Sequence, residues 1–316
     1  MSSTSSMENA ERFFHYQPVN GAPEAFAAIF GLFTILFIHR IIKTKSAKWL
    51  YILPGTASAE LIGYAFRTAC VYNTTLGNYI GMNLLLLITP NALALINYKS
   101  LGVIISINTP SPPHYQRDSN NPLYDQHVDE ENGKVTTVTD TPRFWLRPKF
   151  VTWFFFWSDF SAFFLQASGG GMQATASMQK YGQAITLVGL SLQLIFFACF
   201  AAIAVHVYRN PRYDYQITDT KTMQTVANPK KKVMVILFAT IILLYIRSIY
   251  RVAEYASGYD GVIATAEWAF YVFDGAIIVA CFILYYIRFI GRYLPGNNAF
   301  LRLHRNHSDY SLNAVN

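Results

Sequence analysis

Read as a string of apolar and polar positions, the chain is blocked rather than periodic. Runs of roughly 18 or more mostly apolar residues recur, the length at which a helix crosses about 30 Å of hydrocarbon. They predict seven transmembrane helices near 23–42, 49–71, 78–100, 149–170, 181–208, 232–254 and 265–290. Pro90 interrupts the third, whose apolar run continues to Ile107. A proline inside a membrane helix is tolerated where neighbours satisfy the backbone groups it frees. The expected fold is all-α: a seven-helix membrane domain over 23–292, an N-terminal tail 1–22 and a C-terminal tail 293–316. Helices and short loops use up the chain, leaving no room for a soluble domain.

Charge adds the orientation. Only 14% of residues are charged, against about 25% in soluble proteins. Twenty of the 25 Lys and Arg residues fall after helices one, three, five and seven, whereas Arg12 and Lys180 alone lie on the other side. Cytosolic loops collect Lys and Arg, so the N-terminus is expected outside and the C-terminus in the cytosol. The net charge of +7 then faces anionic lipid and needs no nucleic-acid partner. Residues 108–148 are Pro-, Asn- and acid-rich and predict a flexible cytosolic loop. The first residues lack a signal peptide's basic start and short apolar core, so the first helix is expected to stay in the membrane. Asn73-Thr74-Thr75 is a sequon in a short outer loop. Cys70, Cys199 and Cys281 read as small buried apolar side chains, not as a disulfide frame or metal site. Trp49, Trp145, Trp153 and Trp268 read as an interfacial belt. Gly182, Gly189, Ser191 and Ala198 suit close helix packing.

Polar residues inside the spans call for a reason, because a charge at a helix centre costs roughly 2.5–3.5 kcal/mol on insertion scales. Glu60 and Arg67 lie seven apart on one face of the second helix, and Asp159 and Gln166 repeat that spacing in the fourth. Arg247, Arg251 and Glu254 form a stripe on the sixth; Glu267, Tyr271 and Asp274 form one on the seventh; Asn83 and Asn91 flank Pro90 on the third. With the N-terminus outside, Glu60, Asp159 and Asp274 sit near the midplane, and Arg67, Gln166, Arg247, Arg251, Glu254 and Glu267 in the outer half. The stripes predict one polar interior open to the outside. Ion pairs such as Arg251–Glu254 can equally be staples between helices, whereas the midplane acids have fewer cations at their depth. We expect Glu60, Asp159, Gln166, Tyr271 and Asp274 to bind substrate, and Arg67, Arg247, Arg251, Glu254 and Glu267 to form a polar network. Glu60→Gln is expected to be mild if Arg67 is its structural partner.

These stripes carry a resemblance. RSIYRVAEYASGYDG (247–261), EWAFYVFD (267–274), DFSAFFLQASGGGMQ (159–173), Glu60-x-x-Gly63-Tyr64-x-x-Arg67, the Pro90–Tyr98 region and Tyr16-x-Pro18 together resemble the fungal RTA-like family of seven-span proteins, also called the lipid-translocating exporter family. The chain departs from it in closing the seventh span without His-Pro and in its long 108–148 loop. The resemblance implies a fungal source, a plasma-membrane or endomembrane location, and export or flipping of sphingoid bases. It also implies resistance to toxic amphiphiles and sterol-like drugs and, for some members, porphyrin handling.

The main functional reading is therefore a transporter whose partners are membrane lipids and amphipathic small molecules. A sphingoid head would meet the carboxylates, its hydroxyls Gln166 and Tyr271, while its tail stays in lipid. Gly169-Gly170-Gly171 serves such a reading as a hinge or as a packing surface. The second reading is a seven-helix receptor or regulator of lipid asymmetry. An intramembrane hydrolase is disfavoured: His39 and His206 lie at cytosolic helix ends and His15 outside the spans, so no metal ligands converge. Gly133-Lys134 is followed by Val135 and lacks the upstream glycine of a P-loop, so no ATP site is expected. We expect no enzyme and no cofactor.

Overall fold

The computed structural model describes residues 19–108, 147–173, 176–219, 224–258, 261, 265–294 and 301–304. The Tyr16-x-Pro18 motif, most of the 108–148 segment, Trp145 and the end of the chain lie outside them.

Among the described residues, seven long helical segments follow one another. They are α1 (Ala22–Thr44), α2 (Ile52–Tyr72), α3 (Leu76–Asn108), α4 (Pro148–Gln173), α5 (Gln179–Arg209), α6 (Pro229–Ala256) and α7. The last is composite: an α-turn Glu267–Phe270, a π-helical turn Tyr271–Ala276, then Ile277–Ile287. α1 opens on Gly21, whose positive φ of 92° suits glycine and whose N–H is taken by Glu24 at 2.9 Å. It closes on Lys45 in the left-handed region, where the amide returns to Ile41 and Ile42 carbonyls. α3 is eight residues longer than its predicted end, because the apolar run beyond Tyr98 stays helical and buries Leu101, Ile104 and Ile107.

Five segments, α1, α3, α5, α6 and α7, are long and apolar enough to cross a membrane. α2 carries Glu60 and Arg67, and α4 carries Asp159, Gln166 and three glycines, which lowers their apolar content. The partition of side chains explains the composition. Leu32, Ile35, Phe164, Ile195, Ile242 and Trp268 are exposed, while Glu60, Arg67, Asp159, Gln166, Arg247 and Asp274 are buried. Apolar outside and charged inside is the arrangement of a helical bundle solvated by lipid, and the protein is an integral membrane protein.

Small residues set the tightest approach. A Cβ on Gly169 would lie 2.6 Å from the Gly182 carbonyl oxygen, and one on Gly182 2.5 Å from that of Gly169. Gly189 fits against the Ala162 carbonyl in the same way, at 2.9 Å. The expected packing role thus falls to Gly182 and Gly189. Ser191 instead bonds back to Leu187 O at 2.8 Å, and Ala198 faces outward. α4 runs unbroken through Gly169-Gly170-Gly171. Cys70 and Cys281 are buried as expected, but Cys199 is exposed on the outer surface of α5.

The all-α bundle carries a small three-stranded sheet at one end. β1 (Gln216–Asp219) pairs antiparallel with β2 (Gln224–Val226) and with β3 (Leu301–His304), in the order β2-β1-β3. Ile217 is fully buried beneath it. β3 comes from more than eighty residues along the chain, so no local pattern announces the sheet. We call this the sheet end, and the opposite one, where α1 begins, the Gly21 end.

Candidate functional site

The polar interior resolves into three groups, each built from a different pair of stripes. Near the Gly21 end, Arg67 of α2 reaches α7. Its guanidinium lies 3.0 Å from Glu267 and donates to the Tyr271 hydroxyl at 2.9 Å, with the Phe270 ring 4.2 Å from its charge. Tyr271 also donates to Glu267 at 3.2 Å, and the Val19 N–H caps the other carboxylate oxygen at 2.9 Å. Glu60 is therefore not the partner of Arg67. Seven residues of helix separate the two by about 10 Å along the axis, beyond ion-pair range.

Deeper, Arg247 of α6 meets Asp274 of α7 at 2.7 Å. Arg251 holds Glu254 at 2.7 Å within its own helix, its Nε 3.7 Å from Asp274. Glu267 thus turns to α2, and Asp274 takes the α6 arginines. The π-turn adds one residue to its helical turn and carries both Tyr271 and Asp274; such turns are frequent at functional sites. Gly275 in that turn leaves room for the Tyr64 hydroxyl, which would lie only 2.4 Å from a Cβ at that position.

Pro90 explains a second contact of Arg247. Lacking an N–H, it frees the carbonyl four residues earlier, that of Leu86. Arg247 donates to that oxygen at 3.3 Å. One arginine thus answers an acid on α7 and a broken backbone bond on α3.

The third group lies across α3, α4 and α5. Tyr98 donates to Asp159 at 2.5 Å, leaving the other carboxylate oxygen without a partner. Gln166 donates to Gln193 at 2.9 Å, and Gln193 to Asn91 at 2.7 Å. Sequence reasoning passed over Gln193 and the buried trio Asn97, Thr240 and Tyr285, in which Tyr285 and Thr240 donate to Asn97 at 2.9 and 3.1 Å. Uncharged polar residues raise no alarm in an apolar run. Beside the glutamine chain is a cavity of about 40 Å³ between α3, α4, α5 and α6. Asn83, Gln166, Gly170, Gly171, Arg251 and Tyr255 are among its walls. Gln166 is buried, with its carbonyl oxygen unpartnered.

The structure thus draws Arg67, Glu267 and Tyr271 together, and Arg247, Arg251, Glu254 and Asp274 together. Asp159 and Gln166 stand apart on α4, and Glu60 faces Asp274 and Arg247 without a hydrogen bond. Among the described residues no cluster of three or more His, Cys, Asp or Glu could hold a metal ion.

A family model described as RTA1 like protein matches residues 132–297. Protein RTA1 of Saccharomyces cerevisiae is 24% identical over 303 residues, covering 87% of this chain and 84% of the relative. The lipid-translocating exporter-like protein RTA1 of Leptosphaeria maculans is 24% identical over 94% of this chain and 54% of its own length. The probable lipid transporter atnI of Emericella nidulans is 24% identical over 89% and 68%. The chain therefore spans about half the length of the Leptosphaeria relative. No solved structure matches.

Proposed function

Because the chain belongs to the RTA1-like protein family, we propose that it is a membrane transporter moving amphipathic lipids across or out of the bilayer. The cargo is a sphingoid long-chain base or a related toxic amphiphile, and removal of it confers resistance. All seven long helices cross the membrane, with the Gly21 end outside and the sheet end in the cytosol, most simply in the plasma membrane. The twenty-to-two split of Lys and Arg supports this orientation. The names of the Leptosphaeria and Emericella relatives support a lipid cargo.

The observation that carries the reading is a small cavity inside an apolar-faced bundle, with polar side chains among its largely apolar walls. Gln166, Arg251 and Asn83 are among its walls, and the Gln166 carbonyl oxygen, buried, has no hydrogen-bond partner. These groups match the ammonium, hydroxyl or phosphate of a lipid head, while the tail remains in the bilayer. At about 40 Å³ the cavity holds about one water, so this conformation is closed and must widen to load. Gly170 and Gly171 line it with nothing packed against their Cβ positions. Asp159 lies one polar layer deeper, toward the cytosolic side. Among the described residues no interior group is arranged as a nucleophile and base, and we read the protein as non-enzymatic.

The test is purified protein in liposomes with labelled sphingoid base and phospholipid. Movement of label across the bilayer is expected, and Gly170→Phe, which fills the cavity from an open position, should stop it while leaving the fold intact. No movement by the parent protein rejects transport in favour of a receptor. A change in the label's chemical identity reveals an enzyme.

A further inference from the structure

Counting charge inside the bundle leaves one carboxylate over where α2, α3, α6 and α7 meet. Arg67 answers Glu267, Arg247 answers Asp274 and Arg251 answers Glu254. Glu60 has no such counter-charge, although it is only 1% exposed and neither of its oxygens accepts a hydrogen bond. The charged groups facing it are Asp274 and Arg247, and Arg247 is already committed to Asp274 at 2.7 Å. One turn along α2, Tyr64 is fully buried with its hydroxyl also unpartnered. Thr89 of α3 faces Glu60 but donates to the Leu85 carbonyl at 3.3 Å. α1 contributes the Phe26 and Phe30 rings, stacked on Tyr64 at 5.2 and 5.4 Å.

Glu60 and Tyr64 of α2 and Thr89 of α3 thus bring oxygen atoms into one buried region, where neither Glu60 oxygen meets the geometry of a hydrogen bond. A bare carboxylate in such a place is heavily penalised. With the three arginines paired to Glu267, Asp274 and Glu254, its surroundings call for one positive charge, small enough to enter a packed core.

We propose that Glu60, with Tyr64 and Thr89, binds one monovalent cation, a proton or a sodium ion, and that this ion drives transport. The inference rests on the transport reading above and adds its energy source. Arg247 supplies the coupling. When the cation leaves, the ionised Glu60 competes with Asp274 for Arg247, and the arginine also holds the Leu86 carbonyl that Pro90 frees. Ion occupancy is thereby felt at the π-turn of α7 and at the break in α3. The emptied network carries one negative charge in excess, which a protonated amine on the cargo offsets. Cation and cationic lipid then occupy the interior alternately, and transport is an exchange.

The test uses liposomes holding the full chain or its Glu60→Gln variant, a labelled sphingoid base and entrapped proton- and sodium-sensitive dyes. A one-for-one exchange lets a tenfold ion gradient sustain about a tenfold lipid distribution ratio. The parent protein should reach that ratio and pass counter-ions. A dye signal in sodium-free buffer identifies the proton, and a signal only in sodium identifies that ion. Glu60→Gln, isosteric with the neutral acid, should lose both ion flux and ion-driven accumulation. Lipid movement by the parent without ion flux or gradient dependence overturns this inference and leaves the transport reading standing. If the parent moves no lipid, the transport reading and the drive fall together, and the cation site is judged on binding. A protonated-carboxyl infrared band, or a sodium-induced rise in melting temperature, must then vanish in Glu60→Gln. If neither does, the site is refuted as well.

Discussion

At the scale of single residues, the same carboxylate chemistry serves opposite ends. Asp274 lies between two arginines, so Asp274→Asn leaves Arg247 buried without its acid. Removing one partner of a buried pair costs about 3–5 kcal/mol, and we expect that variant to be depleted from the membrane. Asp159 has a tyrosine, not a cation, against it. Asp159→Asn keeps an oxygen for the Tyr98 hydroxyl, so near-normal surface delivery is expected, with the loss falling on transport. Surface biotinylation alongside a resistance assay separates the two; equal depletion of both variants would make Asp159 a staple as well. The Arg67–Glu267 pair offers a sharper stability test. Arg67→Met alone should lower the melting temperature in detergent strongly, and adding Glu267→Gln should recover much of the loss, because no unpaired buried charge remains.

Elements explain which parts of the site were legible in the sequence. The stripes on α2, α4, α6 and α7 follow from the 3.6-residue period alone, and the structure buries their charges. Partner choice did not follow. Whether Arg67 meets Glu60 or Glu267 depends on the distance between α2 and α7, which no single helix records. The π-turn that rotates Asp274 toward α6 is equally silent, as is the sheet, whose strands meet only after the chain has returned to the same end. Pro90, by contrast, was legible in kind. A freed carbonyl had to find a donor, and only its identity, Arg247, needed the structure. Pro90→Ala restores an amide to compete for the Leu86 oxygen. We expect α3 to be stabilised and straightened, with transport reduced because Arg247 loses one anchor. A higher melting temperature with undiminished transport would show that the break in α3 has no part in the cycle. In α7, Gly275→Ala places a methyl against the Tyr64 hydroxyl and the Phe26 ring, an overpacking that costs typically about 1–3 kcal/mol. Gly170→Ala, facing open space, should instead be neutral or slightly stabilising. Thermal unfolding of the two variants checks the contrast.

At the scale of the whole molecule, sidedness decides how every depth is read. The cavity, the buried arginines and the sheet take their meaning from which end meets the cytosol. The argument is electrostatic: the segments after α1, α3, α5 and α7 hold nearly all the Lys and Arg, and the anionic inner leaflet and the insertion machinery retain them. Lys230 illustrates how far this goes. It is buried at the foot of α6, yet paired with Asp214 at 2.9 Å and with the Asn210 carbonyl at 2.7 Å, so the sheet end is organised around a lysine as well as rimmed by them. Two exposed positions at opposite ends test the orientation: Asn73, between α2 and α3, and Ala227, just before α6. The background must first lose Cys199, the native thiol that is exposed; Cys70 and Cys281 are buried. In intact cells, a membrane-impermeant maleimide should label Asn73→Cys and spare Ala227→Cys until the membrane is permeabilised. The reverse pattern would turn the bundle over and place the polar cavity on the cytosolic side, where it would load cargo rather than release it. Labelling of both from outside would mean an even number of crossings between residues 73 and 227 in place of the three expected, α3 to α5, or a mixture of orientations. Dose-dependent protection of Asn73→Cys by an external impermeant thiol blocker, with Ala227→Cys unaffected, distinguishes a single inserted population from that mixture.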